Sequence, residues 1–109
     1  AYIFQATSGA GTGFIYAAGA TQMSAAGAAF SASNTYKLGM RVAANDGRYC
    51  QGGTLATLDN SVTLPNSPDR VILGQRYNLG GLQAFGYLKR AAIWSNLALT
   101  DAQLQAVTS

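Results

Sequence analysis

Apolar and polar residues alternate most cleanly between Tyr36 and Ala44, where Tyr36, Leu38, Met40, Val42 and Ala44 interleave with Lys37, Gly39, Arg41 and Ala43. A period of two puts every second side chain on the same side, so the segment predicts a strand with one buried face. Asn45-Asp46-Gly47 follows and can supply the positive φ of a tight reversal, which makes Arg48 to Gln51 the returning strand. Gln51-Gly52-Gly53 turns the chain again into Thr54 to Leu58, completing a three-strand meander.

Upstream, Tyr2 to Thr7 and Phe14 to Ala18 are short aromatic and β-branched runs joined by the Gly-rich segment Ser8 to Gly13, a second hairpin. Ala20 to Ala32 is rich in alanine, which favours a helix, but Gly19 and Gly27 interrupt it. It reads as strand and loop, with Phe30 to Asn34 as a connection. Downstream, Asp59 to Asp69 is a polar loop with both prolines, Arg70 to Gly74 a strand, Gln75 to Gln83 a second loop, and Ala84 to Ser95 a long last strand. The tail changes period. Thr100 followed by Gln103 fits a capping box, Asp101 suits the positive end of a helix dipole, and Leu99 with Leu104 occupies the positions of a hydrophobic staple. A short helix is expected from about Thr100 to Val107. Many short strands and one terminal helix describe an all-β sandwich or jelly roll.

Composition narrows the chemistry. The 109 residues suit a single domain, and a hydrophobic share of 49% with 10% charged residues is a folded composition. There is no His and no Glu, and the carboxylates are Asp46, Asp59, Asp69 and Asp101. Losing His removes the usual neutral-pH acid-base group and the commonest metal ligand, so the chain is not expected to be an enzyme. The net charge of +3 comes from basic residues scattered along the chain, of which only Lys89 and Arg90 adjoin, so no nucleic-acid footprint is expected. No apolar run is long enough to cross a bilayer, and no membrane partner is expected. The lone Cys50 excludes an intrachain disulfide and reads as a small buried hydrophobe. Gly9-Ala10-Gly11-Thr12-Gly13 has Phe14 where a dinucleotide fingerprint needs glycine, and lacks the Lys of a phosphate loop, so it reads as a turn.

Several blocks resemble the concanavalin A-like, laminin-G-like jelly-roll domains of bacteriophage tail-fibre, tailspike and other virion proteins. Thr35 to Asp46 is similar to the family's strand and turn "yrva.ayaa.d", and Arg48-Tyr49-Cys50-Gln51-Gly52-Gly53 stands where it has "lyvNG", with Gln51 in place of Asn. Val71-Ile72-Leu73-Gly74 resembles "LrlG". Gly86 to Trp94 resembles "GhirrlayW", and Leu99 to Thr108 resembles "LsdaeLqalt"; these last two blocks are the most specific. The resemblance implies a concanavalin A-like jelly-roll β-sandwich, and the residues agree with it: the last strand can pack Leu88, Ala91 and Ile93 inward around an irregularity at Lys89-Arg90, with the short helix closing one edge. Whole domains of this family are commonly longer. With Ala1 rather than Met at the start, the expectation is one domain over residues 1–109 that is the C-terminal part of something larger, lacking its first strands.

The same family includes glucanases, whose chemistry needs two carboxylates on one glycosidic bond. With no Glu and no two neighbouring Asp, the expectation is a scaffold without a hydrolytic pair. The resemblance then implies a virion-surface, extracellular module that adheres to host-surface glycan. The alternatives are a purely structural domain contacting other virion proteins, and an accessory domain of a polysaccharide depolymerase; a homo-oligomer suits all three. Gln75, Arg76, Tyr77 and Asn78, with Gln83 at the loop's end, offer an aromatic face and planar polar groups and are the glycan-binding candidates. Trp94, among apolar neighbours, reads as core or edge packing. No cofactor is expected; a calcium ion, if bound, would draw on Asp46, Asp59 and Asp69, residue types that are also ordinary turn formers.

Overall fold

The computed structural model describes residues 2–7, 10–17, 20–31, 34–64, 66 and 88–109. The described part is mostly β with one short C-terminal helix: β1 (Tyr2–Thr7), β2 (Ala10–Ala17), β3 (Ala20–Ala29), β4 (Leu38–Ala43), β5 (Asp46–Gln51), β6 (Thr54–Leu55) and α1 (Asp101–Thr108). They make two antiparallel sheets, β1-β2-β3 and β4-β5-β6. The expected strand Arg70 to Gly74 and loop Gln75 to Gln83 lie outside the described residues.

In the first sheet, Tyr2 pairs with Ile15 and Thr7 with Ala10, so β2 starts inside the glycine-rich segment expected to be a turn. Glycine weakens a strand but lets another backbone or side chain approach closely. An added Cβ on Gly13 would lie 2.9 Å from Tyr49 Cδ2, so this glycine makes room for an aromatic ring. β3 is a strand in spite of its alanines, because Met23, Ala25 and Gly27 alternate toward the second sheet and tertiary packing overrides a weak local preference.

The meander forms as expected, with shifted turns. Ala43 pairs with Asp46, leaving Ala44-Asn45 as the reversal, and Asn45 takes the positive φ of 57°. Gly47 therefore serves packing: a Cβ there would lie 2.5 Å from Met23 Sδ and 2.7 Å from Val62 Cγ2. Gly52 and Gly53 both have positive φ, 55° and 76°, the pair of values a two-residue hairpin turn requires. β6 stops at Leu55, short of the expected Leu58, and Asp59 then pairs with Gly47 through two backbone bonds of 2.9 Å.

Two sheets and a helix form three layers. Ile15, Met23, Tyr49 and Val62 are the buried centre between the sheets, with Ala25, Leu38, Met40, Val42 and Ala56 packed around them. Every residue of β4 is half-buried, so the single buried face read from its alternation is incomplete. The helix covers the other face: Leu104 and Thr108 lie over Gly39 and beside Cys50, where the absent and small side chains leave a depression. It thus packs on a sheet face instead of closing an edge. Thr100 and Gln103 form the capping box as expected, with bonds of 3.2 and 2.9 Å. Burying Leu104 contributes about 1.5–3 kcal/mol to docking, and Gln105 donates to the Gly53 carbonyl at 3.0 Å.

The long last strand is not formed over its described part. Residues 88–94 lie in no strand, and Leu88 and Ile93, expected inside, are 65% and 68% exposed; Ala91 is exposed too. The physical reason is in the pattern. Leu88 and Ile93 are an odd number of residues apart, so an unbroken strand would send them to opposite faces, and Lys89-Arg90 puts two cations between them.

Candidate functional site

Among the described carboxylates, each is held by the chain's own donors. Arg41 lies on the helix-facing side of β4 and is only 10% exposed, so its charge must find partners. It donates to Asp46 Oδ1 from Nη2 at 2.8 Å and from Nε at 3.1 Å, and from Nη1 to Asp101 Oδ1 at 2.7 Å and the Leu99 carbonyl at 2.9 Å. Arg48, directly opposite Arg41 on the neighbouring strand, donates to Asp101 Oδ2 at 2.9 Å and to the Ala56 carbonyl at 2.8 Å. Two cations and two anions thus join the meander to the first turn of α1. Arg48 Nε is the exception: it is buried without a hydrogen-bond partner among the described residues, a local cost of about 1–3 kcal/mol.

The pairing fixes protonation. Hydrogen bonding to Arg41, and then to Arg48, holds the Asp101 carboxyl below its ordinary range, and bonding to Asp46 raises the Arg41 guanidinium above its own. A general acid for glycoside hydrolysis needs the opposite, a carboxyl kept protonated. Asp59 Oδ1 accepts from Ser61 Oγ at 2.7 Å and Ser61 N at 3.0 Å, which lowers its pKa and closes a local turn. Of the calcium candidates, Asp46 thus serves Arg41 and Asp59 serves its own loop, while Asp69 lies outside the described residues. The glycan-binding candidates Gln75, Arg76, Tyr77, Asn78 and Gln83 also lie outside them.

A second polar group ties the sheets together. Tyr49, fully buried, donates to Gln51 Oε1 at 2.9 Å, and Gln51 Nε2 donates to the Ala28 carbonyl of β3 at 2.9 Å. Burial pushes the Tyr49 hydroxyl up to about 12, so it stays protonated and donating. The cavity beside this network measures about 200 Å³ and is walled by Ala26 to Ala28 and Thr54 to Ala56.

The surface that sequence reasoning passed over lies around Trp94. Its apolar neighbours suggest core or edge packing, but Trp94 is half exposed, at 51%, where the turn at Ser95-Asn96 ends the apolar run directly after it. Asn96 holds a φ of 60°. Trp94, Asn96 and Leu97 surround a depression of about 410 Å³ with Val42 and Ala44 from the β4 end and Leu64 from the following loop. Asn directly after Trp-Ser was the available signal, since Asn is among the few residues that accept left-handed backbone. No family model, curated protein or solved structure matches this chain.

Proposed function

We propose that the chain is a non-catalytic adhesion module of the concanavalin A-like, laminin-G-like jelly-roll type, carried on the surface of a phage-type particle and binding host-surface glycan. The observation that carries the non-catalytic half is the Arg41–Asp46–Asp101–Arg48 cluster: two of the chain's four carboxylates are ionised partners of arginines that dock the helix. The sheet-on-sheet layering and the capped helix after Trp94 support the jelly-roll reading, and the family resemblance supplies the particle and the ligand class.

A second reading, a structural domain that contacts other virion proteins without sugar, draws on the exposure of Leu88 and Ile93 at the surface. Glycan-array binding of the 109-residue chain, paired with a reducing-end assay on each glycan retained, tests both. Retention without new reducing ends is the expected result. New reducing ends from the isolated chain overturn the non-catalytic reading, and an array with no retained glycan leaves the structural one.

A further inference from the structure

The depression at Trp94 differs from the inter-sheet cavity in ways that bear on ligands. At about 410 Å³ it falls within the range of about 300–1,000 Å³ typical of ligand pockets, whereas the cavity beside Gln51 is about half that size. Its walls come from the end of β4, the loop at Leu64 and the segment leading into α1, so elements fixed by the core and the capped helix frame it.

The chemistry of the lining is specific. One aromatic ring, half exposed, stands with Leu64 and Leu97, which are 39% and 58% exposed. Neither the Trp94 indole N–H nor the Asn96 carboxamide makes a hydrogen bond to the described residues. An indole N–H gives one donor, and a carboxamide gives two donors and an acceptor. An apolar ring face beside unspent planar polar groups matches a pyranose, which has one face of C–H groups and a rim of hydroxyls. Among the described residues no charged side chain lines the depression, so none of them would compensate a carboxylate on the ligand.

We propose that this depression is a saccharide subsite for a neutral pyranose, with Trp94 as the stacking platform and Asn96 as the hydroxyl-bonding group. The proposal rests on the glycan-adhesion reading and relocates its contact from the loop around Tyr77 to the segment before the helix. Asn96 is a positioning feature as well as a contact. Its left-handed backbone turns the chain so that residues 94 and 97 face one depression.

Trp94 is the chain's one tryptophan, so its fluorescence reads this place alone. The intact chain is titrated with the methyl glycosides of glucose, galactose and mannose, and with N-acetylneuraminic acid as the charged comparison. The expected result is a blue shift and protection from acrylamide quenching with at least one neutral glycoside and none with the acid. Trp94→Ala should weaken binding of that glycoside, followed by calorimetry, at least about tenfold. Asn96→Gly, which keeps the left-handed backbone, should weaken it less, and both variants should keep the wild-type unfolding midpoint.

No emission change with any neutral glycoside, or a change with the acid only, overturns the subsite. So does calorimetric binding that survives Trp94→Ala and is lost in Tyr77→Ala, although the adhesion reading then stands. An empty glycan array removes both.

Discussion

Replacing Gly27 by alanine tests the contact between the sheets most directly. The new Cβ would lie 2.0 Å from Gln51 Oε1 and 2.9 Å from both Gln51 Cδ and Tyr49 Cε1, so the carboxamide has to leave its place. Leaving it breaks the Tyr49–Gln51 and Gln51–Ala28 hydrogen bonds, each worth about 0.5–1.5 kcal/mol net. Overpacking costs about 1–3 kcal/mol more, and the better strand propensity of alanine returns only about 0.5–1 kcal/mol. The expected net loss is about 2–4 kcal/mol, a large part of the roughly 5–15 kcal/mol that holds a domain folded. Urea unfolding followed by circular dichroism measures it. In a Gln51→Ala background the carboxamide is absent and only the approach to Tyr49 remains, so Gly27→Ala should cost about 1–2 kcal/mol less there. A cost under about 0.5 kcal/mol, or one equal in the two backgrounds, refutes the account of why glycine stands at this position.

Three further outcomes follow from the helix layer and the meander. Leu104→Ala empties a site that is 2% exposed and should lower stability by about 2–5 kcal/mol, read by the same denaturation. Asp101 has a folded pKa below its ordinary value, so its stabilisation is present above that value and is lost as pH falls through the folded one. The unfolding midpoint should therefore drop on acidification below about pH 4, and Asp101→Asn should flatten that part of the profile; an unchanged slope would count against the arginine pairing. At Asn45, with φ of 57°, glycine should be tolerated within about 0.5 kcal/mol, while alanine should cost about 1–2 kcal/mol.

Local rules were legible where one interaction decides the structure. The capping box needed only Thr100 and Gln103, and the β5–β6 turn only Gly52 and Gly53. Layering was less legible, because period two at Tyr36 to Ala44 says which residues share a face and not how many faces are covered. Gly39 and Arg41 looked solvent-facing since neither is apolar, yet one receives the helix by having no side chain and the other by binding its first turn. Strand glycines misled similarly: at Gly13 the need for space comes from Tyr49 of the other sheet, and at Gly47 from Met23 of the other sheet and Val62 of the loop after β6. The Trp94 surface was missed because an apolar neighbourhood suggested burial, and the turn that exposes the ring depends on the backbone of Asn96.

Cys50 lies fully buried under α1, with the Thr108 hydroxyl 3.0 Å from its sulfur. Wherever many copies of this chain stand close together in an oxidising medium, a single accessible thiol on each would link neighbours at random. The eight-residue helix acts as a shutter over that reaction. Resistance to crowding-induced crosslinking therefore depends on the same arginine clasp that docks the helix, and any treatment that lifts the helix would let chains join in covalent pairs, one disulfide for each two Cys50 thiols.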